Sequence, residues 1–129
     1  MVAPKEVPVW YAAADLFLSA STSETQGLTY LEALAAGLPV ICRADPCLKG
    51  VLTNGGNGYG CADAAGMAAR VRALLADPDE LDAMHRRARV SALAFSEENF
   101  ARRASALYRE QILLHRAAPA LERSAVWTA

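Results

Sequence analysis

No apolar run in this chain reaches the ~20 residues needed to span a bilayer, and its opening residues do not read as a signal peptide. Neither sign of charge prevails. Thirteen Lys and Arg face 14 Asp and Glu, a net of −1, so no overall field draws in nucleic acid. Cysteines are few and odd in number: Cys42, Cys47 and Cys61, with no Cys-x-x-Cys pair. They read as reduced core or loop thiols of a cytoplasmic protein. The two histidines, His85 and His115, fall in helical patterns far along the chain, so no metal site is expected. Aromatic residues are 7% of the chain, and Trp10, Tyr108 and Trp127 read as packing or tail residues, not sugar platforms.

What is present is an ordinary globular composition. Of 129 residues, 53% are apolar and 21% charged. A chain of this length makes one domain and buries roughly two-thirds of its unfolded surface.

The order of elements indicates the fold class. Residues 1–8 hold two prolines and no period, and read as a frayed start. Residues 8–14 form a short helix with Pro8 in its first turn. Leu16–Ser19 is a buried strand, too short for a helix. A loop over 20–26 leads to a helix over about 27–36, with Leu28, Leu31, Leu34 and Ala35 on its apolar face. A helix apolar on most sides is a buried one. Gly37 suits a left-handed cap, and Pro39 prevents continuation. Val40–Cys42 is a second strand, apolar throughout as parallel strands covered on both faces should be. Asp45-Pro46 opens a loop or single turn, and Asn54–Gly58 is a turn by composition. Tyr59–Ala62 is a weak third strand.

Three helices complete the chain. Asp63 caps one carrying Met67, Val71, Leu74 and Leu75. Asp77-Pro78-Asp79-Glu80 is a strong start for another, running to about Ala94 with Leu81, Met84, Ala88 and Ala92 inward. The last, over 96–118, has Phe100, Ala104, Leu107, Tyr108 and Leu114 as its stripe, and 119–129 is a patternless tail. Alternating strands and helices predict an α/β fold: a partial, Rossmann-like, parallel three-stranded sheet with flanking helices. We expect 1–129 to be a single, incomplete domain.

Chemistry concentrates between Ser23 and Val40. Glu32 is the sole charged residue between Gly27 and Cys42. A carboxylate in such surroundings is costly to bury without partners. Either it lies on the one wet strip of the helix, or it faces a site that needs an acceptor. In open α/β sheets, ligands sit beyond the carboxyl ends of the strands, where loop 20–26 meets a helix N-terminus with unpaired N–H groups, a natural phosphate seat. Gly27 lets a ligand approach the backbone closely. Glu32 lies roughly 7–8 Å further along the helix. Glu24 stands in the loop before it. Carboxylates only accept hydrogen bonds, so these two should grip hydroxyl groups. Two sugar rings joined by a diphosphate fit that description.

The stretch Ser23-Glu24-Thr25-Gln26-Gly27-Leu28-Thr29, continuing through Glu32-Ala33-Leu34-Ala35-Ala36-Gly37-Leu38-Pro39-Val40, resembles the Glu-x7-Glu signature of the large retaining glycosyltransferase family with the GT-B fold, called group 1 or family four. Ala13–Leu18, Asn57-Gly58-Tyr59, the Asp77-Pro78 helix and Phe95-Ser96 resemble other parts of the same family. Gln26 and Thr29 are similar to the branch that glucosylates diacylglycerol. The resemblance implies that Glu24 is catalytic, contacting hydroxyls of the donor sugar. It implies that Gln26, Gly27, Leu28 and Thr29 offer backbone groups to sugar and diphosphate, and that Glu32 binds the ribose of a nucleotide such as UDP. It implies retaining hexosyl transfer from a nucleotide sugar such as UDP-glucose to a glycolipid or glycan, with no cofactor and no metal.

Such enzymes have two Rossmann-like domains. The acceptor-binding N-terminal domain and the first half of the donor domain have no counterpart here, so the chain is expected to be a donor-binding fragment, inactive alone. The alternative is a non-catalytic nucleotide-binding or self-assembly module. An exposed sheet edge should favour a homodimer. The basic cluster His85, Arg86, Arg87 and Arg89, with Arg102 and Arg103, reads as solvated helix faces. Its alternative is attraction to anionic lipid at ~1 kcal/mol per side chain, which would place the protein peripherally at the inner face of the membrane.

Overall fold

The computed structural model describes residues 3–22 and 27–117. The chain divides into two units, residues 1–95 and 96–129. The first opens with a 3₁₀ turn at Pro4–Glu6, then α1 (Val7–Ala12), β1 (Phe17–Ser19), α2 (Leu28–Ala36) and β2 (Val40–Arg43). A 3₁₀ turn at Pro46–Leu48 leads to β3 (Gly58–Cys61), α3 (Ala64–Leu75) and α4 (Pro78–Ala92), and a last 3₁₀ turn covers Leu93–Phe95. The second unit contains α5 (Glu97–Ala117). The tail 119–129, with Trp127, lies outside the described residues.

The expected three-stranded parallel sheet is present, in the order β1-β2-β3. Leu18 pairs with Ile41, and Ile41 with Tyr59. β2 is central, and its side chains alternate between two cores. Val40 and Cys42 point into a cluster with Tyr30, Ala33, Leu34, Leu38 and Leu48 beneath α2. Ile41 points the other way, into a cluster with Cys61, Met67, Leu74 and Met84 beneath α3. α4 closes both, giving Ala88 to the first and Met84 to the second. Each large side chain buried here stabilises the fold by about 1.5–3 kcal/mol. Burial pushes the Cys42 thiol up to about 11, with Cys61, Asp45 and Cys47 nearby adding to it, so at neutral pH it is an inert apolar group.

The helix starts follow local chemistry. Asp63 Oδ1 accepts the Gly66 N–H at 2.7 Å, and Asp77 Oδ1 accepts the Glu80 N–H at 3.1 Å. Caps of this kind are worth about 1 kcal/mol each. Asp45 does the same for the turn at Pro46, accepting the Cys47 N–H at 2.8 Å.

Several expectations need correction. The opening segment is not frayed through residue 8, because Pro4–Glu6 makes a turn that runs into α1. α2 does not bury Leu28 and Ala35. Its inward residues are Tyr30, Ala33 and Leu34, while Leu28 is 59% exposed. Tyr30 can go inside because its hydroxyl, 2.9 Å from Ser19 Oγ, has a partner there. Leu75 is exposed, leaving α3 anchored by Met67 and Leu74. β3 begins one residue early, at Gly58, where any Cβ would collide with the Val40 carbonyl across the ladder.

Asn57 is the buried polar residue that closes this unit, at 2% exposure. Its Oδ1 accepts the Thr53 N–H at 2.8 Å. Its Nδ2 donates to the Val51 carbonyl at 2.8 Å and to Ser91 Oγ at 2.9 Å. Ser91 in turn donates to the Ala88 carbonyl at 2.7 Å. One side chain thus joins the 51–58 turn to α4. Asn57→Ala strands several buried groups and should lower stability by about 2–3 kcal/mol. Urea denaturation reads this, and a loss under about 0.5 kcal/mol, the range of an ordinary surface change, would contradict the assignment.

Candidate functional site

α2 presents the candidate residues in a definite orientation. Gly27 caps it in the left-handed region, at φ 61° and ψ 31°. Gly27 has no side chain to cap the helix, so among the described residues no side-chain acceptor meets its first N–H groups. Gly27 itself is buried. A Cβ there would stand 3.2 Å from Leu48 Cδ2 and 3.3 Å from Tyr30 Cδ2. The chain's own packing therefore accounts for the glycine, through both its dihedral and its neighbours.

Tyr30 sets the rotation of α2. Its ring meets Phe17 edge-on at 5.5 Å, and Phe17 lies 6.2 Å from Tyr11. With Tyr30 inward, Leu28, Thr29 and Glu32 turn outward and are exposed. Glu32 is not left to solvent alone. The Tyr11 hydroxyl donates to Glu32 Oε2 at 3.1 Å and also lies 3.4 Å from the Thr29 carbonyl oxygen. Burial pushes the Tyr11 phenol above its ordinary value, and the hydrogen bond to Glu32 and its negative charge raise it further.

This pair lines a groove of about 820 Å³ together with Ala14, Ala36, His85 and Arg89. The end of α2 adjoins the last two. Gly37 has φ 91°, and a Cβ there would press on Arg89, with Cγ at 3.0 Å. His85 Nδ1 is 2.6 Å from the Gly37 carbonyl oxygen. A carbonyl only accepts, so this nitrogen carries the proton.

The basic cluster lies on solvated helix faces as read, with Arg86, Arg87, Arg89, Arg102 and Arg103 exposed, and His85 is half-buried. Arg87 donates to the Gly56 carbonyl at 2.9 Å and to Glu80 at 2.6 Å. His85 and Arg87 are thus engaged in holding α2 and the 54–58 turn against α4. The candidates Glu24 and Gln26 lie outside the described residues. Gly27, Leu28, Thr29 and Glu32 occupy the cap and first turns of α2. Tyr11 escaped the sequence reading, since nothing local shows that its hydroxyl reaches a carboxylate 21 residues away.

The family model of the glycosyl transferases group 1 matches residues 2–91, which contain all of this geometry. The chain belongs to that family. Among curated relatives, it is 44% identical over 117 residues to the alpha-monoglucosyldiacylglycerol synthase of Streptococcus pneumoniae, covering 88% of this chain and 25% of the relative. It is 36% identical over 107 residues to the synthase of the same name from Acholeplasma laidlawii, covering 83% and 27%. A D-inositol 3-phosphate glycosyltransferase of Catenulispora acidiphila is 36% identical over 109 residues, covering 83% and 26%. The chain spans about a quarter of the length of these group 1 relatives. Two of them are named for a glucosylated diacylglycerol, the branch that Gln26 and Thr29 resemble.

Gly27→Ala would test the cap. A side chain at positive φ costs about 1–2 kcal/mol, and Leu48 adds crowding. Gly50, at φ 84° with nothing within 4 Å of its would-be Cβ, is the control. Thermal denaturation should show Gly27→Ala as the more damaging; equal losses would remove the crowding argument.

Proposed function

We propose that this chain forms the donor side of a retaining hexosyltransferase that moves a sugar from a nucleotide sugar, such as UDP-glucose, to a glycolipid acceptor. The observation that carries this is Glu32, held outward on α2 above a buried apolar face, five residues past the glycine that starts the helix. The diphosphate sits at that N-terminus, where amide N–H groups and the helix dipole favour an anion. Glu32 lies about 7.5 Å along the axis and accepts the ribose hydroxyls. Glu24 holds the hydroxyls of the transferred sugar. Gln26, Gly27, Leu28 and Thr29 supply backbone groups between them. Charge on the departing diphosphate is stabilised by these positioned donors, with no metal or cofactor called upon.

The acceptor follows from the names of the two synthases. It implies work at a membrane surface, on its cytoplasmic side. Among the described residues, no helix is long and apolar enough to span a bilayer. Acceptor binding falls to protein beyond the quarter represented here, so this chain alone should bind donor without transferring it.

Titration calorimetry tests the reading. UDP and UDP-glucose should bind, and Glu32→Ala should weaken UDP about tenfold or more, the loss of hydrogen bonds to a charged group. No binding of either nucleotide at millimolar concentration would overturn the donor-site reading.

A second reading rests on a separate observation. β1 is an edge strand, and Leu18 on it is 55% exposed beside Trp10 at 65%. Such an edge invites another strand, and a second copy of the chain would supply one. Light scattering should then show a dimer that Leu18→Lys returns to monomer. A concentrated monomer of the unaltered chain removes this reading.

A further inference from the structure

The Tyr11 ring and its hydroxyl do different things. The ring packs at the margin of the α2 core, 6.2 Å from Phe17. The hydroxyl leaves that core and crosses from α1 to α2, where it meets Glu32 Oε2 at 3.1 Å, with the Thr29 carbonyl oxygen further off at 3.4 Å. A phenol has one proton to donate. The carboxylate is nearer and charged, and charge-assisted bonds are the stronger ones.

An exposed Glu otherwise samples many rotamers, and ordering such a side chain costs up to about 1.5–2 kcal/mol. Tyr has few torsions, and packing against Phe17 fixes the ring. A carboxylate accepts at both oxygens, so engaging Oε2 leaves Oε1 free. Resting on the reading of Glu32 given above, we propose that Tyr11 is a positioning residue: it holds the Glu32 carboxylate so that Oε1 receives the ribose hydroxyls of a bound nucleoside diphosphate. The ordering of Glu32 is then complete before the ligand arrives, which is the usual source of affinity from preorganisation. The phenol remains protonated for this at neutral pH, because burial and Glu32 both raise it above 10.0.

A purely structural Tyr11 would affect every ligand alike. A positioning Tyr11 affects only ligands that Glu32 grips. The test uses the whole chain in four forms: unaltered, Tyr11→Phe, Glu32→Ala and the double variant. Each is titrated with UDP and with 2′,3′-dideoxy-UDP, and its melting temperature is recorded. Tyr11→Phe keeps the ring and removes one hydroxyl. It should weaken UDP about three- to tenfold, the span of one hydrogen bond, and leave the dideoxy ligand unchanged. In the Glu32→Ala background the same change should add nothing. Equal weakening of both nucleotides, or of neither, would overturn the role of Tyr11. If Glu32→Ala weakens UDP while Tyr11→Phe does not, Tyr11 alone loses its role. If Glu32→Ala leaves UDP binding intact, or the unaltered chain binds no UDP, the donor-site reading falls and this inference with it.

Discussion

The rotation of α2 about its own axis depends on one buried phenol. Tyr30 is 1% exposed, its ring against Phe17 and its hydroxyl beside Ser19. Residues two apart on a helix point about 200° away from each other. With Tyr30 inward, Glu32 must therefore face out. A rotation that buried Leu28 instead would carry Glu32 away from Tyr11 and toward the sheet, where a charge has no partner. The orientation of the candidate site is thus a packing decision made on the opposite side of the helix.

The sheet supplies the platform for that decision. β2 has a neighbour on each side and a hydrophobic cluster on each face. β1 delivers Ser19 and Phe17 to Tyr30, and the turn after β2 delivers Leu48 to Gly27. The start of α2 is therefore held by residues from both flanking strands' connections. A phosphate seat made of backbone amides needs such rigidity, since a frayed helix end would not hold its N–H groups in one direction.

Much of this architecture was legible in the sequence. Short apolar runs bounded by turn residues identified the strands, and Asp63 and Asp77 announced two helix starts through chemistry that acts within three residues. The Glu-x7-Glu spacing pointed to the family. The failures share a cause. Leu28 and Ala35 rank as apolar and Tyr30 as ambiguous, so the inward face of α2 was misassigned, and only a partner on β1 resolves it. Asn57 read as one more turn residue, though its amide reaches α4. His85 read as solvated, though it is half-buried against the Gly37 carbonyl. In each case the deciding contact spans a long stretch of chain, and no local pattern encodes it.

The end of α2 carries an implication for the order of events during synthesis. Gly37 adopts its left-handed turn under the side chains of His85 and Arg89, both on α4. Those residues leave the ribosome long after Gly37 does. Until they arrive, the turn has its glycine and Pro39 but lacks the proton donor on its carbonyl and the guanidinium packed over it. The nascent α2–β2 corner is accordingly complete only when α4 folds back onto it, which ties maturation of the candidate site to a helix that contributes none of the residues assigned to grip the donor.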